Sequence, residues 1–171
     1  GHPQQQHIKI LKTIGKMDET DRKRIVLLIQ MTYGGSKEYR RKVLVEAKKT
    51  GCEYRVICQF LSDDEIADLR IMTDIYINAQ TTDAFSGSVC ENLFAGTKLL
   101  NARWLRYQEF KEHYFKYWEF NKIEEIGKLI KTVMEQKADC SGNRELIWQL
   151  RSWEFCVPKW ERVFRKLVHG D

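Results

Sequence analysis

TDIYINAQTTDAFSGSVCENLFAGTKLLNA, residues Thr73 to Ala102, sets the fold of this 171-residue chain. An apolar, β-branched run leads into a polar loop, and a helical pattern opens on Phe85-Ser86-Gly87-Ser88. Gly96 stops the helix and a second apolar run follows. That succession is a compact βαβ unit, with two parallel strands and a helix crossing between them. Asp83 falls in the loop at the carboxyl end of the first strand, and Glu91, eight residues on, falls in the helix. Open α/β sheets bind ligands outside the carboxyl ends of their strands, so this pair is the first place to look for chemistry.

The same alternation extends both ways. Upstream, residues 4–17 read as a helix. Ile25 to Ile29 is an unbroken aliphatic run, the pattern of a strand buried on both faces, and it ends in Met31-Thr-Tyr-Gly34-Gly35. Ser36 caps a helix with Tyr39, Val43 and Ala47 on one face, stopped by Gly51. Tyr54 to Phe60 is a strand, and Ser62-Asp-Asp-Glu65 is a capping box for a helix with Ile66 and Leu69 inward. Downstream, Lys98 to Asn101 is a strand, Arg103 to Lys111 a helix and Tyr114 to Trp118 a weaker strand. Asn121-Lys-Ile-Glu124 is a second capping box, for a helix carrying Ile123, Ile126, Ile130 and Val133. Helices over Asn143–Phe155 and Pro158–Val168 close the chain. The last has Pro at its first position and Trp160, Val163, Phe164 and Leu167 on one face.

Strands alternating with helices give an α/β class: a Rossmann-like, three-layer αβα parallel sheet of about five strands, with extra C-terminal helices. Residues 1–171 are expected to be one domain. Doubly wound folds normally open on a central strand and this sequence opens on a helix, so a strand and further protein are expected ahead of Gly1.

Composition excludes several classes. No apolar run approaches the ~18 residues of a membrane span. Five cysteines, with no CxxC or Cys/His spacing, read as reduced thiols in a cytosolic protein and give no metal site. The net charge of +5 is uneven: residues 1–50 hold 12 Lys/Arg against 5 Asp/Glu. A basic third can attract phosphates, anionic lipid or nucleic acid, but charge alone favours the plainer reading, the solvated faces of ordinary helices. The tryptophans, all between residues 104 and 160, read as packing for the last helices.

Gly34-Gly35 and Ser86-Gly87-Ser88 each stand between a strand and a helix, where free N–H groups favour an anion. Neither matches GxGxxG or GxxxxGK[ST], no GxSxG elbow is present, and the histidines show no metal spacing. Asp83 can simply cap its helix. Glu91 lacks an i±4 charge partner, because position 95 is Ala and position 87 is Gly. It is therefore a candidate to accept hydrogen bonds from vicinal ribose hydroxyls.

Asp83-Ala-Phe-Ser-Gly-Ser-Val-Cys-Glu91 resembles the E-x7-E motif of retaining glycosyltransferases with the two-Rossmann (GT-B) architecture, the family-4/group-1 type. Glu91-Asn-Leu-Phe-Ala-Gly96-Thr97 resembles the motif's trailing part. Phe60-Leu-Ser-Asp-Asp-Glu65 with Thr73-Asp74-Ile-Tyr-Ile is similar to the family's upstream run, and Pro158-Lys-Trp160-Glu161-Arg-Val163 to its closing helix. Met31-Thr-Tyr33-Gly with Gly1 to His7 is similar, more loosely, to the 4-acetamido-4,6-dideoxygalactose transferase family. The likeness covers the whole chain, as the C-terminal, donor-binding half of such an enzyme.

The resemblance implies a hexosyltransferase acting in polysaccharide or glycoconjugate synthesis, with a nucleoside-diphosphate sugar as substrate and no cofactor or metal. Glu91 would hold the ribose. Asp83, Phe85, Ser86, Gly87 and Ser88 would face the donor sugar and diphosphate, with Thr32, Tyr33 and Gly34 nearby. Gln59, Phe60 and Leu61 would border the base, and His7 or a basic residue outside this chain would stand in for the family's missing diphosphate cations. The departures are Asp83 for the first Glu, Ala84 and Ser86 for glycines, and Asn92 for Ala. The implied partners are the donor, an N-terminal acceptor domain and a lipid-linked or glycan acceptor, with no nucleic acid. The implied location is cytoplasmic, at the inner membrane face, and the isolated domain would be inactive. Two alternatives stand beside this reading: a nucleotide-sugar epimerase of the same architecture, and a non-catalytic α/β module binding through its basic face.

Overall fold

The apolar runs form parallel strands in two separate groups. The computed structural model describes residues 1–170. Val26–Gln30 (β1) and Glu53–Ile57 (β2) pair parallel, with Val26 opposite Glu53. Ile75–Asn78 (β3), Lys98–Ala102 (β4) and Trp118–Phe120 (β5) form a second parallel group in that order, with Ile75 opposite Lys98. No hydrogen bond joins β1 to β3. Helices His7–Ile14 (α1) and Glu19–Arg22 (α2) precede β1. Lys37–Lys49 (α3), Asp63–Ile71 (α4), Gly87–Ala95 (α5) and Gln108–Glu112 (α6) connect successive strands. Ile126–Glu135 (α7), Gly142–Arg151 (α8) and Trp153–His169 (α9) close the chain.

α1 packs against α3 and α7, while α5 packs against α4 and α8, so helices cover both faces of the strands and the class is the expected Rossmann-like α/β. Leu11, Ile29, Met31, Val43 and Ala47 form the core beneath α1 and α3. Val89 and Leu93 of α5, Leu99 and Leu100 of β4, and Ile126 and Val133 of α7 centre the larger one. Each such aliphatic side chain contributes about 1.5–3 kcal/mol by leaving water. The caps form as their sequences require. The Ser36 hydroxyl accepts from the Tyr39 N–H at 3.1 Å, and Ser62 and Glu65 exchange bonds at 3.2 and 2.7 Å. Among the described residues no helix is long and apolar enough to cross a membrane.

Several expectations are corrected. The first helix is broken at Gln6, which adopts φ 56°, into a 3-10 turn over Pro3–Gln5 and α1. β1 is not buried on both faces, since Val26 and Leu28 are 55% and 41% exposed. The helix expected over Arg103–Lys111 shrinks to α6, because residues 103–105 turn so that the Arg103 N–H can bond the Phe120 carbonyl. The strand expected over Tyr114–Trp118 moves on to β5. The Asn143 side chain occupies both backbone groups of Lys116, at 2.9 Å each, in place of a neighbouring strand. Glu125, not Glu124, reaches back to the Asn121 N–H. α8 ends at Arg151 because Ser152 is extended, and Pro158 lies inside α9, where its missing N–H deletes one helical bond. Trp153 and Trp160 are exposed rather than packed.

Candidate functional site

The loop from β3 to α5 is held by a buried polar chain. Asn78, at the end of β3, donates from Nδ2 to Asn101 Oδ1 at 3.1 Å and to the Tyr107 hydroxyl at 2.8 Å. The Tyr107 hydroxyl in turn donates to Asp83 Oδ2. The same oxygen accepts from the Ser86 N–H at 3.3 Å, so Asp83 does cap the approach to its helix. Burial, then the bond to Asp83, raises the Tyr107 phenol far above its usual value and keeps it a donor. Phe85 takes φ 59°, a costly left-handed conformation for a bulky residue. Its ring is buried against Tyr107 and Phe110, with the Arg151 guanidinium 4.7 Å from its centre. The side chain of Phe85 is therefore turned into the core, not toward a donor sugar.

α5 begins open. Ser86 is its N-cap but its hydroxyl is buried without a partner, and the N–H groups of Gly87 and Ser88 take no protein acceptor. Glu91 lies in the next turn with its side chain 49% exposed. It does have a charge partner, supplied from another helix: Arg70 of α4 donates from Nε to Glu91 Oε2 at 3.1 Å and from Nη1 to Gln30 Oε1 at 3.0 Å. Glu91 Oε1 takes no protein partner. A side chain at position 87 would come within 3.4 Å of that oxygen, so Gly87 keeps the approach to it clear. Tyr76 lies among these groups. Burial pushes its phenol up to about 12, Arg70 opposes the rise, and Asp83, Glu91 and Tyr33 add to it.

Around the rim the remaining candidates scatter. Gln59 and Phe60 are exposed in the loop after β2, Phe60 by 78%, and Leu61 is half-buried. Thr32, Tyr33 and Gly34 follow β1, but this glycine loop is not an open anion cradle. The Gly1 amino group donates to the Tyr33 carbonyl at 2.6 Å, and His2 lies against Gly34. Gly35 has φ 67°, and a Cβ there would collide with the Gly1 carbonyl oxygen. Without an anion beside it, His7 is not a cation at neutral pH. Burial, then the nearby Gly1 ammonium, lowers its imidazole to about 4, leaving it neutral beside the Tyr39 hydroxyl at 3.3 Å. The Arg40 guanidinium reaches this loop, donating to the Gly34 carbonyl at 3.4 Å.

Glu91, Ser86, Gly87, Ser88 and Asp83 thus meet at one helix start, while Gln59 to Leu61 and Thr32 to Gly34 sit on neighbouring loops. Sequence reading missed Arg70, Tyr76 and Tyr107. Arg70 offered one signal, as a basic residue next to Leu69 on a helix whose other charges are acidic; Tyr107 offered none. What the cluster can do follows from its chemistry. Free N–H groups at a helix start accept an anion, and a half-exposed carboxylate with one open oxygen accepts hydroxyl donors.

No family model matches this chain, and no curated protein matches it in sequence. Among solved structures, the crystal structure of Anabaena Alr3699/HepE in complex with UDP matches it with a TM-score of 0.70 at 15% identity. The match covers 100% of this chain and 48% of that one, so the chain spans about half the length of that protein. At this identity the likeness establishes the fold, an independent support for the Rossmann-like reading.

Proposed function

We propose that this chain is the nucleotide-sugar-binding domain of a glycosyltransferase, and that uridine diphosphate is the carrier it recognises. The observation that carries the proposal is Glu91. Its carboxylate is fixed through Oε2 by Arg70 and open at Oε1, one turn below a helix start with free N–H groups. Glu91 Oε1 would accept from a ribose hydroxyl. The free N–H groups of Gly87 and Ser88 would hold the diphosphate, with the α5 dipole favouring its charge. The UDP carried by Alr3699/HepE, a protein of the same fold, supports the choice of nucleotide. The sequence likeness to the E-x7-E motif supports hexosyl transfer to an acceptor hydroxyl as the reaction.

In that reaction the bond from the anomeric carbon to the diphosphate breaks, and charge grows on the leaving oxygens. Donors fixed before the step stabilise that charge without reorganising. The acceptor would be bound by protein outside this chain, so the chain alone would bind donor without turning it over.

A thermal-shift titration with UDP, GDP and dTDP tests the reading. UDP at about ten times its dissociation constant adds ~1.4 kcal/mol, or about 3–6 °C for a chain of this size. GDP and dTDP should give less. A folded chain that responds to none of the three overturns it.

A further inference from the structure

α8 lies along α5, and an arginine grips each end of that contact. Arg144, in the first turn of α8, stands 4.9 Å from the centre of the Phe94 ring and donates from Nε to the Phe94 carbonyl at 3.1 Å. That carbonyl is among the last four of α5, which the helix leaves without a donor of its own, so Arg144 acts as a C-terminal cap. Arg151, the last residue of α8, stands 4.7 Å from the centre of the Phe85 ring, just ahead of the start of α5. Among the described residues its guanidinium bonds no carbonyl. Nη2 donates instead to Glu109 Oε1 of α6 at 3.0 Å.

Phe85 is the residue that needs holding. A left-handed backbone at a bulky side chain persists only where the surroundings over-determine it. Tyr107 packs on the ring at 5.0 Å and Phe110 edge-on at 5.4 Å, both from the segment after β4. Arg151 comes from α8 and is the charged member of the set, drawn to the ring by its quadrupole and fixed by Glu109. From the polar side the turn is closed by the Ser86 N–H to Asp83, a long bond at 3.3 Å. Cys90, within the first turns of α5, feels the same pair. Burial pushes its thiol up to about 11, Arg151 opposes the rise and Glu109 adds to it.

The residue after Phe85 is the N-cap of α5, and the next two carry the free N–H groups. Rotation of Phe85 out of the left-handed region would re-aim those groups. We propose that Arg151 is a positioning residue for the candidate site: its guanidinium, fixed by Glu109, clamps the Phe85 ring, holds that backbone left-handed and so directs the Gly87 and Ser88 N–H groups toward one anion, without touching ligand. The consequence for binding rests on the diphosphate reading of this helix start, and the consequence for the backbone does not. Arg144, at the far end of the same helix pair, has no such part.

The test compares Arg151→Met, which keeps length and removes charge, with Arg151→Lys, which keeps a cation, and with Arg144→Met. Each chain is titrated with UDP and with uridine at fixed salt and followed by residue-resolved NMR. Before any ligand is added, Arg151→Met should move the Phe85 backbone carbon shifts away from left-handed values and displace the Ser86 and Gly87 amides. Arg144→Met should leave all three in place. Arg151→Met should then bind UDP on the order of fivefold more weakly. Uridine should bind it as the parent does, because Glu91 is untouched, and Arg151→Lys should recover most of the loss. Arg144→Met should lose stability yet bind both ligands as the parent does.

Parental UDP affinity in Arg151→Met overturns the proposal. So does weaker UDP binding with Phe85 still left-handed, since Arg151 would then act on phosphate directly. If the parent itself ignores UDP, the donor reading fails, and the Phe85 signals of the free chains alone decide whether Arg151 sets the start of α5. Should Arg151→Met not fold, Glu109→Gln removes the charge that fixes the guanidinium. It must move the same signals, and signals left in place overturn the proposal.

Discussion

Arg70 and Glu91 stand on different helices, 21 residues apart, and are joined at 3.1 Å by a bond from a nearly buried guanidinium to a half-exposed carboxylate. The same guanidinium is tied to Gln30 at the end of β1, so one side chain links α4, α5 and β1 at the mouth of the candidate site. Arg70 holds Glu91 in place, and under the proposed function Glu91 is the group that would meet ligand.

Glu91→Ala leaves Arg70 short of its charged acceptor. Because Glu91 is half exposed, water compensates part of the loss, and a cost of about 1–2 kcal/mol is expected by urea denaturation. Its response to UDP should vanish. Glu91→Gln can still accept from Arg70 and should recover most of the stability while binding UDP more weakly. The two variants together separate fold from recognition.

Tyr107→Phe keeps the ring packed on Phe85 and Phe110 but removes the hydroxyl between Asn78 and Asp83. A loss of about 1–2 kcal/mol is expected, read as a fall in melting temperature of roughly 2–8 °C. UDP affinity should fall as well, because the loop before α5 loses its anchor. A variant as stable as the parent would remove Tyr107 from this role.

Gly87→Ala and Gly35→Ala should behave oppositely. Position 87 is helical, and a Cβ there meets only Glu91 Oε1 at 3.4 Å. Stability should hold while UDP binding weakens. Position 35 has φ 67° and abuts Gly1, so the substitution should destabilise the chain by on the order of 1–3 kcal/mol and unseat residues 1–2. Calorimetry on both variants checks the contrast.

His7 makes stability depend on pH in a defined window. Its folded value of about 4 lies below the unfolded 6.5, so between the two the unfolded chain binds the proton and the folded chain does not. Its contribution is therefore complete above about pH 6.5 and is lost as pH falls toward 4, by up to about 3 kcal/mol. Urea midpoints at pH 7.5 and 5 should show the fall, and His7→Gln should flatten that part of the profile.

The succession of strands and helices along the chain and several helix caps were legible because they are local. Ser36, Ser62 with Glu65, and Gly96 act on neighbours within a few residues, and the aliphatic run at β1 reads as a strand whatever surrounds it. The exposure of Val26 and Leu28 was not legible, since it depends on β1 pairing with β2 alone, a tertiary fact. Partners set by tertiary approach were also hidden. A search for a charge at i±4 from Glu91 could not find Arg70, and nothing local ties Tyr107 to Asp83. Phe85 was misread because left-handed backbone at a Phe follows from packing on α6, not from its own preference.

The most direct test of donor binding is an amide-resolved NMR titration of the chain with UDP. Saturable shifts at Ser86, Gly87, Ser88 and Glu91, with smaller ones at Gln59 to Leu61, are the expected result. UDP that leaves the start of α5 unperturbed in the folded chain, or shifts only residues away from it, contradicts the assignment.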